Sequence, residues 1–182
     1  MSQAIKIGRF KLFILATLVF INGCEESQDE IGDACVKESL KADAFYSEKT
    51  AEICMVSAKR GDPRSQNMIA IMYQFGKGGL YQRDEESVYW YKKAAMQGHR
   101  EAQSSLAYMY QKDTASFKDQ VLAYAWYTLA MVDEPPALAS SSAGATQSKI
   151  RLINEMTASQ IEDGDKLARE INAEILVTQQ FK

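Results

Sequence analysis

The chain has 182 residues, a net charge of −3, one histidine, three cysteines and three prolines. That length suits a single domain, and an acidic balance without a basic run excludes a nucleic-acid binder, which needs cations against phosphates. One histidine and three cysteines give no Cys/His cluster with metal-ligand spacing, so no metal or other cofactor is expected.

Residues 1–23 carry Lys6, Arg9 and Lys11 and no acid, and in Leu12–Ile21 only Thr17 is polar. A basic start, a short apolar run and a small residue before the cut describe a cleaved secretory signal peptide. The run falls short of the ~20 apolar residues of a membrane span. A buried N-terminal helix is the alternative, but the run lacks the polar face of an amphipathic core helix. Ile21-Asn22-Gly23-Cys24 resembles a bacterial lipobox, with Asn22 a mild departure. The resemblance implies that Cys24 becomes the mature, acylated N-terminus. Several acyl chains, at ~0.8 kcal/mol per buried methylene, make a stable anchor. Glu25, where aspartate would signal retention in the inner membrane, implies an outer-membrane location facing the periplasm. Loss of the three signal cations takes the net charge from −3 to −6.

Residues 24–33 are polar and acidic and are expected to form a tether. Residues 34–60 are expected to form a degenerate helical hairpin. With Cys24 acylated, Cys35 and Cys54 remain as an even pair in an oxidising compartment. A helix ending near Asp43 and another starting near Ser47 place both cysteines nine or ten residues from the hairpin centre, facing each other. A disulfide there is worth ~3 kcal/mol in the chain-entropy model. Two buried free thiols are the rival arrangement.

Residues 61–134 contain an internal repeat. "GDPRSQNMIAIMYQ" (Gly61–Gln74) aligns with "GHREAQSSLAYMYQ" (Gly98–Gln111) at an offset of 37, and "WYKKAAM" (Trp90–Met96) with "WYTLAMV" (Trp126–Val132) at 36. A period in the thirties with two helices per unit is the signature of an α/α solenoid. Ile69, Met72 and Tyr73 fall at i, i+3, i+4 on the first helix. Val88, Tyr91 and Ala95, widened by Trp90 and Ala94, form the stripe of the second. "GKGG" (Gly76–Gly79) reads as a tight turn, since no Lys-Ser/Thr follows to make it a phosphate loop.

The unit around Tyr73, Gly76, Gly78, Asp84, Trp90, Tyr91, Lys93, Ala94, Ala95, Gly98, Ala102, Leu106 and Tyr110 resembles the Sel-one-like repeat, a relative of the tetratricopeptide repeat. The second unit departs from the pattern: "QKDTASFKD" has no glycine, and Val132-Asp133-Glu134 precedes Pro135-Pro136. The resemblance covers roughly Ala58–Ile171. It implies an all-α solenoid of helical hairpins coiled as a right-handed superhelix.

Residues 135–182 are expected to be helical and to close the array. Thr157 and Gln160 have capping-box spacing and open a helix with Ile161, Ala168, Ile171 and Ile175 on one face. Glu162, Asp163, Lys166, Arg169 and Glu170 then point outward, as the end cap of a repeat array requires. A membrane-surface helix is the alternative, opposed by its mixed charges and its lack of tryptophan.

No catalytic residue is expected. There is no His-Glu-x-x-His, Gly-x-Ser-x-Gly or Ser-x-x-Lys, and His99, in the turn after Gly98, is expected to be solvated. Tyr89, Tyr108 and Tyr124 fit the core stripe less well than Tyr73, Tyr110, Trp90 and Trp126. Exposed tyrosines on the inner helices are what a peptide groove displays. The expected function is that of a lipid-anchored envelope adaptor holding a protein or peptide partner. The alternative is an enzyme or binder acting on cell-wall fragments or β-lactams, since some cysteine-rich members of the repeat family are associated with penicillins. A structural lipoprotein with no specific partner is the third option.

Overall fold

The computed structural model describes residues 28–41, 46–112, 116–131 and 143–180. The signal segment, Cys24 and Pro135-Pro136 lie outside the described residues. Those residues form helices and no strand: α1 (Gln28–Ser39), α2 (Glu48–Lys59), α3 (Pro63–Phe75), α4 (Asp84–Ala95), α5 (Arg100–Gln111), α6 (Gln120–Ala130), α7 (Ala143–Ile153) and α8 (Ala158–Gln180). Each helix packs on the next from α1 through α7, and α8 packs on α6. Among the described residues no helix is long and apolar enough to cross a membrane.

Helix α1 starts at Gln28, inside the stretch expected to be tether. Ser47 caps α2, its hydroxyl accepting from the Thr50 N–H at 3.1 Å. Cys35 and Cys54 are joined in a disulfide that links α1 to α2, and both are buried. Beside it, Glu38 pairs with Lys41 and with Lys49, the latter at 3.3 Å.

The repeat offset reappears as packing. Ile69 and Leu106, Ala70 and Ala107, and Met72 and Met109 are all fully buried. Alanines at 58, 94, 95, 102 and 123 remove bulk where helices approach. Two buried glutamines do equivalent work one repeat apart. Gln66 Nε2 donates to the Ala58 carbonyl and Gln103 Nε2 to the Ala95 carbonyl, both at 3.1 Å. A carbonyl in the last turn of a helix has no partner within that helix, so each first helix satisfies a carbonyl of the second helix before it. Gln97 Nε2 donates to the Gly61 carbonyl at 2.9 Å and to Gln66 Oε1 at 2.8 Å, placing the α2–α3 and α4–α5 turns side by side.

The "GKGG" segment is a turn. Gly76 caps α3 in the left-handed region at φ 61°, and Gly78, at φ 62°, runs so close to α2 that an added Cβ would lie 2.9 Å from Ala51 Cβ. In the second unit the loop does without glycine at its start: Lys112, in extended conformation, follows α5. The two loops still rejoin alike, Arg83 N–H donating to the Tyr73 carbonyl and Asp119 N–H to the Tyr110 carbonyl.

Helix α8 opens with the capping box. Thr157 N–H donates to Gln160 Oε1 at 2.8 Å and Gln160 N–H to the Thr157 hydroxyl at 3.3 Å. Ala168 and Ile175 are buried and Ile161 and Ile171 partly so, while Glu162, Asp163, Lys166, Arg169 and Glu170 are exposed. Its far end reaches the α4–α5 turn, where Gln179 Nε2 donates to the Gln97 carbonyl at 3.2 Å.

Candidate functional site: an uncharged groove

Two stripes run along α3 and α5, on nearly opposite sides of each helix. Residues 69 and 72, and their equivalents 106 and 109, are buried in the core. Ile71, Gln74 and Phe75, with Ser104, Ser105 and Tyr108, face a groove of about 580 Å³ that Gly144, Ala145 and Ser148 of α7 close on the far side. Tyr46, just before α2, completes the wall, and Tyr91 and Tyr127 form the floor. Among the described residues no Asp, Glu, Lys, Arg or His lines it.

The floor is a repeated polar device. Tyr91 hydroxyl donates to Gln74 Oε1 at 2.7 Å, and Tyr127 hydroxyl donates to Gln111 Oε1 at 3.0 Å. Burial pushes the pKa of Tyr91 up, against a hydrogen bond from Ser105 and with the Tyr46 phenol adding to the rise. Burial likewise pushes Tyr127 up, opposed by Ser148 and by the charge of Arg151. Both phenols are therefore neutral donors at physiological pH. Each repeat contributes one phenol held in place by one glutamine.

The three candidate tyrosines separate. Tyr108, 50% exposed, stands on the groove wall. Tyr89 is equally exposed but lies on α4 outside the groove, edge-on to Trp90 at 5.1 Å with Lys93 Nζ 5.1 Å from its ring. Tyr124 is not exposed, contrary to expectation: it is 6% accessible, covered by α8 and α7. Its hydroxyl donates to Asp165 Oδ1 at 3.0 Å, and Lys149 Nζ sits 4.4 Å from the ring centroid. The missed signal lay in α6, where Ala123–Tyr127, Leu129 and Ala130 are all buried. A helix apolar all round is covered all round. Phe75, 58% exposed at the groove wall, was not singled out by sequence.

His99 departs from expectation too. It is the N-cap of α5, its Nδ1 accepting from the Ala102 N–H at 3.3 Å, where Asp62 caps α3 one repeat earlier through Ser65 N–H at 2.7 Å. Burial lowers its pKa, against the neighbouring carboxylates of Glu101 and Asp62 and with Arg64 adding to the fall. Among the described residues no group of three or more His, Cys, Asp or Glu side chains could hold a metal ion.

A stack of antiparallel helical hairpins, with one groove across its first helices, is a helical solenoid of the kind whose folds commonly mediate protein–protein interaction. The chain carries two Sel1 repeats, at residues 63–99 and 100–130. Its fold is similar to that of c5321, a protective antigen present in uropathogenic Escherichia coli strains displaying an SLR fold, with a TM-score of 0.67 and 20% sequence identity. The match covers 86% of this chain and 33% of that one, so the chain spans about a third of that neighbour, and at this identity the likeness is one of fold alone. No curated protein sequence matches.

Proposed function

We propose that the chain is a non-catalytic adaptor of the bacterial cell envelope, anchored by lipid at Cys24 to the outer membrane, facing the periplasm. Its groove holds an extended, uncharged segment of a protein partner. The groove itself carries this reading: aromatic walls for apolar contact, a floor of fixed phenol and amide groups, and no charged side chain among the described residues that line it. A charged residue entering it would lose water and find no counter-charge, whereas backbone amides would find donors and acceptors. The anchor rests on the signal-like segment and on Cys24 in the sequence.

The cell-wall or β-lactam reading finds less support. Ser104, Ser105 and Ser148 bring hydroxyls to the groove, yet among the described residues no lysine, histidine or carboxylate lines it to take a proton from them. Fluorescence anisotropy against a peptide library of graded charge tests the proposal. Uncharged peptides should bind best, and Tyr108→Arg should weaken them about tenfold or more with the helical circular dichroism unchanged. Selection of charged peptides, or undiminished binding by the variant, would refute it.

A further inference from the structure

Helices α6 and α8 run parallel, since Gln120 meets Glu155 and Tyr124, further along, meets Asp165. The offset of 41 between Tyr124 and Asp165 puts Ala130, where α6 ends, level with Ile171. Residues Asn172–Gln180 therefore extend past the end of α6 by about 13 Å. This overhang is held at two points. Ile175 is only 4% exposed, and Gln179 Nε2 donates to the Gln97 carbonyl at 3.2 Å. An added Cβ on Gly98 would lie 2.9 Å from the same nitrogen, so the glycine leaves the room that the glutamine takes.

Gln97 and Gly98 belong to the repeat at 63–99, whereas α8 packs on α6 of the repeat at 100–130. In a repeat array each unit contacts its neighbours alone; this contact skips one. It also continues beyond Gln97. Gln97 Nε2 donates to the Gly61 carbonyl and to Gln66 Oε1, and Gln66 Nε2 donates to the Ala58 carbonyl. Three glutamine side chains thus link α8, through the α4–α5 and α2–α3 turns, to the disulfide-held pair of α1 and α2. One such bond adds little by itself, but bonds in series polarise one another and act together.

We propose that Asn172–Gln180 form a strap that fixes the curvature of the solenoid, tying α8 to the α4–α5 turn across the end of α6. Curvature is the sum of small rotations between successive repeats, and a tie that spans two junctions limits the rotation at both. The turns it holds lead straight into the groove walls. Gln66 stands five residues before Ile71 on α3, and Gln103 adjoins Ser104 and Ser105 on α5. The strap therefore sets the spacing of these two walls, although none of Asn172–Gln180 lines the groove.

Native-state hydrogen exchange by NMR, on the full chain, on a chain cut after Asn172 and on Gln97→Ala, tests the strap. It needs no ligand, so its outcome is separate from that of the peptide-binding test. The N–H groups of Asp62, Gln66, His99 and Gln103 are all hydrogen-bonded within the two turns. Cutting the chain should speed exchange of all four at least about threefold. Amides of Tyr124–Tyr127, against the part of α8 that remains, should not change. Gln97→Ala leaves every helix whole and keeps the carbonyl that Gln179 binds. It should speed Asp62 and Gln66 and leave α8 as in the full chain. Acceleration confined to α6 and α8, equal acceleration in every helix, or unchanged turns would overturn the proposal.

Discussion

Gly164 is where the cap of the solenoid is most tightly fitted. It lies in α8 against the ring of Tyr124, and an added Cβ would sit 2.5 Å from Tyr124 Cδ1, 3.2 Å from Cγ and 3.3 Å from Cε1. Carbon atoms pack at about 3.5–4.0 Å, so Gly164→Ala forces a displacement of roughly 1 Å. The ring cannot easily give way, because its hydroxyl is tied to Asp165 in the same helix and Lys149 lies over its face. Overpacking of this kind costs about 1–3 kcal/mol, and a rigid obstacle points to the upper half of that range. Alanine regains about 1 kcal/mol over glycine in a helix interior. The net loss should be about 1–2 kcal/mol, which for a protein of this size lowers Tm by a few degrees.

The decisive assay is a double-mutant cycle by urea denaturation. Tyr124→Ala removes the obstacle at its own cost of about 3 kcal/mol or more. In that background Gly164→Ala should stabilise, by about 1 kcal/mol, because only its helix propensity remains. The coupling is thus about 2–3 kcal/mol and reverses the sign of the second substitution. If Gly164→Ala costs the same with and without the ring, the close approach of α8 to α6 is not what glycine serves.

Three further outcomes are expected. Cys35→Ser/Cys54→Ser, closing no loop across a separation of 19 residues, should lose about 3 kcal/mol by urea unfolding, and dithiothreitol should lower the wild-type midpoint but not that of the variant. His99 has its folded pKa depressed, so the stability tied to its neutral form is complete above the unfolded value near 6.5 and is lost as pH falls through the lower folded value. The urea midpoint should fall between pH 7 and pH 5, and His99→Asn, which still caps α5 but does not titrate, should flatten that fall; a steeper fall would refute the assignment. Tyr91→Phe and Tyr127→Phe each remove one phenol–glutamine hydrogen bond and should each cost about 1 kcal/mol by thermal melts. Widely unequal losses would mean that the two floor positions are not equivalent.

What could be read from sequence was whatever repeats locally. The offsets of 37 and 36 identified the hairpins, and the Thr157–Gln160 spacing located the start of α8. What escaped were roles conferred by a neighbour. Gln66 and Gln103 matched across the repeat, but the carbonyls they satisfy belong to the preceding helix. His99 had the look of a solvated turn residue until set beside Asp62, its capping counterpart. Tyr124 lies off the core stripe and so reads as exposed from sequence, but α8 covers that side of α6 as well.

The groove shows the same division within a single helix. Ile69, Met72 and Tyr73 announced a core stripe, and that stripe absorbed the periodicity. Ile71, Gln74 and Phe75 make a second i, i+3, i+4 set two residues on, which Tyr108 extends one repeat later at an offset of 37 from Ile71. A helix that packs on one partner needs one apolar stripe. A second stripe, shared by successive first helices and uncharged among the described residues, means a second surface to be covered, and of the described helices α7 covers one end of it. Tyr108 lies on that second stripe, whereas Tyr89, equally exposed, lies on a second helix where no such stripe recurs. Stripe membership within the repeat, more than exposure of any one aromatic, is what assigns a side chain to the groove.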